Sequence, residues 1–79
     1  MNPNIRKALQ ELVIILQGTG ITYHEADTAF KKEWLENQLW QHEGNYCRTA
    51  RSMGTHRNTL SRTVRQLGID VKTIRQASR

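Results

Sequence analysis

The chain is poor in the features that would classify a small protein at first sight. One cysteine, Cys47, stands among 79 residues, so no disulfide can close within it, which agrees with a reducing compartment. No apolar run approaches the roughly 18 to 20 residues that a spanning helix needs. The N-terminus also lacks a basic stretch leading into an apolar core and a small-residue cleavage site. No membrane association is therefore expected, and the expected setting is a soluble protein of the cytoplasm. No apolar/polar alternation of the kind a half-buried strand requires competes with the helical spacings. Acidic residues nearly vanish from the second half: residues 45–79 carry eight basic side chains against Asp70 alone, a net of +7. Residues 1–44 carry four basic against six acidic, a net of −2. Such asymmetry points to a polyanionic partner for the C-terminal half.

What is present reads as helix. Asn2 is a plausible N-cap and Pro3 fits the first helical position, where its missing amide hydrogen costs nothing. Ile5, Leu9, Leu12 and Leu16 recur at helical spacing until Gly18 and Gly20. Ala8, Val13, Ile14 and Ile15 widen that stripe until the last turns are apolar nearly all round. Such a helix is expected to be covered on two sides, once by its own chain and once by a second copy. Thr22 and Glu25 have the spacing of a capping box ahead of a second helix ending near His42. Its large residues, Ala26, Phe30, Trp34, Leu35, Leu39 and Trp40, suit a core but exceed one narrow stripe. Leu9, Leu12, Val13, Leu16, Phe30 and Trp34 are the expected interface of a homodimer. A dimer also fits a chain of this size, since even a 60-residue domain buries only roughly 60% of its unfolded surface.

Gly44 closes the second helix and Asn45 can cap a third, with Tyr46, Cys47, Ala50 and Met53 on one face and Arg48 and Arg51 turned outward. Gly54 stops it after two turns. Thr55 or His56 then starts a fourth helix with Leu60, Val64 and Leu67 as its apolar face and Gly68 at its end. Two short helices around a glycine turn, with a small residue, Ala50, where they cross, make a helix-turn-helix pattern. Opposite the apolar stripe of the fourth helix lie Asn58, Arg62 and Arg65, flanked by Thr59, Ser61 and Gln66. Arginine can bind guanine at two points or hold a phosphate, asparagine can read adenine, and serine and threonine position the backbone. Arg57, in the first turn, can project past the helix end. The helix starts at Asn45 and at Thr55 or His56 offer free amides to phosphate. Asp70 can cap a short fragment over "VKTIRQ", within what reads as a basic C-terminal tail, 70–79.

The stretch "GNYCRTARSMGTHRNTLSRTVRQLGI", residues 44–69, resembles the C-terminal helix-turn-helix of the Fis family. The resemblance rests on Gly44-Asn45, Ala50, Gly54, Arg57-Asn58-Thr59-Leu60 and Leu67-Gly68. It implies an all-α, four-helix Fis-like domain. Residues 1–43 would be a helical dimerisation region of an intertwined homodimer, and 44–69 the DNA-binding region, presenting recognition helices to successive major grooves of double-stranded DNA. The Fis protein itself bends DNA. By this resemblance Arg57 is the principal base-contacting residue, Thr59 and Arg62 hold phosphates, and Asn45 contacts the DNA backbone. Arg48, His56, Asn58, Ser61 and Arg65 complete the expected DNA-facing set. Three positions depart from the family pattern: His56 replaces an asparagine, Ser61 a basic residue, and Cys47 a small hydroxyl residue.

The same module ends many bacterial enhancer-binding activators, but their phosphate-binding pattern G-x-x-x-x-G-K-[ST] is absent. Met1 ahead of a capped helix fits a freestanding protein and an excised domain equally. His24, His42, His56 and Cys47 have no metal-ligand spacing. No cofactor, metal, small-molecule substrate or enzymatic activity is expected. The rival to DNA binding is a helical dimer module for protein–protein interaction.

Overall fold

A computed structural model describes residues 1–77, which form five helices and no strand. Helix α1 spans Pro3–Gly18, α2 Tyr23–Gln41, α3 Tyr46–Met53, α4 Arg57–Leu67 and α5 Val71–Ala77. The all-α expectation holds. The boundaries follow local chemistry. The Asn2 side chain accepts from the Asn4 amide at 2.8 Å, with Pro3 at the first helical position. Thr22 and Glu25 form the full capping box: the Glu25 amide donates to the Thr22 hydroxyl at 3.1 Å, and the Thr22 amide donates to the Glu25 carboxylate at 3.3 Å. Asn45 caps α3 by accepting from the Arg48 amide at 3.0 Å. Helices α3 and α4 end on Gly54 and Gly68, at φ +69° and +68°. In that left-handed conformation the chain reverses, and the next amides, Thr55 and Ile69, donate back to the carbonyls of Ala50 and Val64.

The core lies where α2, α3, α4 and α5 meet. Leu35 and Leu39 of α2, Ala50 of α3, Leu60 and Val64 of α4, Ile69, and Val71 and Ile74 of α5 are buried together, with Tyr46, Met53 and Leu67 packed against them. The inward face of α3 differs from the expected one. Thr49 is fully buried, its hydroxyl donating to the Asn45 carbonyl at 2.7 Å, while Cys47 is exposed. Positions 46, 49, 50 and 53 share one face at helical spacing, and 47 lies off it.

The segment read as a basic tail is structured through residue 77, and its last two residues, 78–79, lie outside the described residues. Asp70 caps α5: its carboxylate accepts from the Thr73 amide at 3.1 Å and from the Thr73 hydroxyl at 2.6 Å. Tertiary burial holds the helix in place, because Val71 and Ile74, one turn apart, enter the core opposite α2. The Thr73 hydroxyl and then the Thr73 amide hold the Asp70 carboxyl below its ordinary value. A depressed carboxyl stabilises the fold above its unfolded value, near 3.9 for a free aspartate, and that contribution disappears as pH falls through the folded value. Asp70→Asn should therefore lower stability at neutral pH and flatten the loss of stability between about pH 5 and 2. Thermal melts across that range, compared with the parent, read the difference.

Helix α1 stands apart. It buries no residue, and no other helix packs against it to a substantial extent. Leu16 is half-buried, and Leu9, Leu12, Val13, Ile14 and Ile15 are exposed. The cover expected from its own chain is not there. The aromatic residues of α2 are likewise not core: Phe30 is 49% exposed, Trp34 52% and Trp40 48%, whereas Leu39 is completely buried. The inward face of α2 narrows to Leu35 and Leu39, four residues apart, because α3, α4 and α5 meet only one side of the helix.

Candidate nucleic-acid interface

Helices α3 and α4 make the most extensive helix pairing in the fold. Ala50 is buried at their crossing beside Leu60, where a larger side chain would force the axes apart. The turn between them is Gly54, Thr55 and His56. His56 is the residue that caps α4, its Nδ1 accepting from the Asn58 amide at 3.1 Å. An imidazole nitrogen thus supplies the acceptor that an asparagine oxygen would supply at a cap. This geometry requires Nδ1 to be the unprotonated nitrogen. His56→Ala should cost about 1 kcal/mol of folding stability and His56→Asn little or nothing, as a preferred cap would; urea melts of the two variants check this.

The core pins α4 through Leu60 and Val64, and its other side is open. Asn58, Arg62 and Arg65 are exposed there, and Arg57 and Thr59 are exposed on the flanks of α4, as are Asn45 and Arg48 at the start of α3 and His56 in the turn. Ser61 differs: it is half-buried and less available than its neighbours. Thr59 sits on the flank of α4 that faces α2, lining with Phe30, Trp34, Met53 and Leu60 an apolar groove of about 500 Å³. Among the described residues the one ion pair joins Lys31 to Asp27 within α2, at 2.9 Å. The arginines of α3 and α4 therefore carry no carboxylate partner among the described residues. Their charge is left facing solvent, where a polyanion would meet it.

Arg57 projects from the first turn of α4 into a second cleft, of about 400 Å³, bounded by Asn45, Tyr46 and Cys47 at the start of α3 and by Arg75 of α5. Sequence spacing brought Arg57 and Asn45 into one proposed surface. It missed Arg75, whose signal was the Asp70 cap together with the Val71 and Ile74 spacing.

No family model, curated protein or solved structure matches the chain. Its functional reading therefore rests on its own residues and geometry. Among the described residues no helix is long and apolar enough to cross a membrane.

Proposed function

We propose that this chain is a homodimeric, sequence-preferring double-stranded DNA-binding protein of Fis type, acting at the bacterial nucleoid as a transcription regulator or DNA-bending protein. The observation that carries the reading is the outer side of α4. Arg57, Asn58, Arg62 and Arg65 are exposed and unpaired on a helix held from behind by Leu60 and Val64 and joined to α3 by a glycine turn. A helix presented in this way can enter a major groove with its first turn toward base edges. By the Fis resemblance Arg57 reads a base while Thr59, Arg62 and Asn45 hold the backbone; Asn58 can read adenine, and Arg48 and Arg65 meet phosphates.

The dimer is supported by apolar surface left open in a single chain. Leu9, Leu12, Val13 and Leu16 of α1 and Phe30 and Trp34 of α2 are its proposed contacts. Phe30 and Trp34 already lie ring to ring, with centroids 5.8 Å apart. The same surface would serve a dimer devoted to protein–protein interaction, and the two readings part on salt.

Selection of bound sequences from a random duplex pool, followed by binding to the winner over a range of salt concentration, tests the proposal. An enriched motif is expected, with log affinity falling by about 0.9 for each phosphate contact per unit of log salt. Absence of both enrichment and salt dependence leaves the protein-interaction module. A monomeric mass by light scattering at micromolar concentration removes the dimer.

A further inference from the structure

We propose that Arg75 of α5, held in the cleft that Arg57 of α4 also lines, grips one backbone phosphate of the duplex, carrying DNA contact beyond the two helices of the turn unit. This rests on the DNA-binding reading above and adds to it a residue and an element that reading does not use.

The cleft is built by long-range structure. Arg75 Nε donates to the Gly44 carbonyl at 3.0 Å, across 31 positions of sequence, and its guanidinium carbon lies 5.0 Å from the centre of the Tyr46 ring. A guanidinium bonded at Nε and lying over an aromatic face has lost much of its freedom, so presenting its two terminal amino groups costs little further entropy. Gly44 permits this close approach. At φ +76° it has the left-handed backbone that suits glycine, and a Cβ there would lie 2.5 Å from Arg75 Cγ. Arg57 also lines the cleft. Tyr46 and Cys47, at the start of α3, line the same space, and the Arg48 amide is taken by Asn45. One acid, Glu43, also lines the cleft. Neither arginine has a carboxylate within ion-pair distance among the described residues, so the lining keeps a net positive charge. A phosphate, with several acceptor oxygens, can take both terminal amino groups of Arg75 at once, which leaves Arg57 free to reach a base edge.

The test uses the full chain, one fluorescent duplex of preferred sequence and one of scrambled sequence, and anisotropy titrations over a range of salt. Arg75→Gln should weaken both duplexes alike, by about tenfold, as expected for one charge-assisted contact. It should also lower the salt slope by about 0.9 per protomer. Arg75→Lys, which keeps the charge, should retain most of the slope, and Glu43→Gln should strengthen both duplexes. If Arg75→Gln and Arg75→Lys lose affinity equally with the slope unchanged, Arg75 only braces Gly44 and the inference is wrong. If the parent chain itself shows no salt-dependent duplex binding, the DNA reading fails first, and inorganic phosphate becomes the probe of the cleft. Shifts of the Tyr46 and Cys47 amide resonances that vanish in Arg75→Gln would then keep it as an anion site, and their absence would remove it.

Discussion

Replacing Arg57 by alanine is expected to lower affinity for the preferred duplex by about 1 to 3 kcal/mol, or roughly 5- to 150-fold, while scrambled duplex loses much less. The difference between the two is the measurement. Arg57 is the first residue of α4 and is exposed, with no ion-pair partner among the described residues. It therefore leads the helix into whatever groove the helix enters. A guanidinium that meets the two acceptors of a guanine edge gains two hydrogen bonds that no other base supplies in that arrangement. Arg62, one turn and a half further on, is placed to meet phosphate. Arg62→Ala should weaken all sequences alike and reduce the salt slope by about 1. Competition titrations with preferred and scrambled duplexes, run at two salt concentrations, separate the two behaviours. Equal loss on both sequences for Arg57→Ala would reassign it to the backbone, beside Arg75.

Local chemistry made much of this surface readable in advance. The caps at Asn2, Thr22 and Asn45 and the reversals at Gly54 and Gly68 depend on residues within a few positions of one another. The exposure of Arg62 and Arg65 followed from three apolar residues, Leu60, Val64 and Leu67, fixing which side of α4 turns inward, whereas the same spacing put Arg57 near the edge of the apolar stripe. Tertiary cover was not readable. Trp34 and Leu39 are both large and apolar, yet one is half exposed and the other fully buried, because only one side of α2 meets α3, α4 and α5. The same limit hid α5. Seven residues are too few to be a stable helix alone, and the burial of Val71 and Ile74 depends on α2, more than thirty positions earlier in the chain. With α5 unplaced, Arg75 counted only as charge, and its bond to the Gly44 carbonyl had no signature in spacing.

Leu39→Ala is expected to have the largest effect on folding, a loss of about 2 to 5 kcal/mol. Leu39 has no exposed surface, and its helix is the one that α3, α4 and α5 all touch. Truncation there opens a cavity with walls on several helices, which cannot all move inward together. Against a total stability of roughly 4 to 12 kcal/mol for a chain of this length, the variant should lose a large share of its stability. The loss should be of the same size at every protein concentration, because Leu39 lies within one chain's core. Trp34→Ala should behave differently. Half its surface is open in the single chain, so the proposed dimer assigns much of its burial to the partner, and association should suffer more than the fold of each chain. Chemical denaturation at two protein concentrations a hundredfold apart distinguishes the two. The parent midpoint should rise with concentration, Leu39→Ala should keep that dependence at a lower midpoint, and Trp34→Ala should lose it. A parent midpoint independent of concentration would mean that α1, Phe30 and Trp34 remain exposed in solution, and the homodimer would have to be abandoned while the core assignment of Leu39 stood.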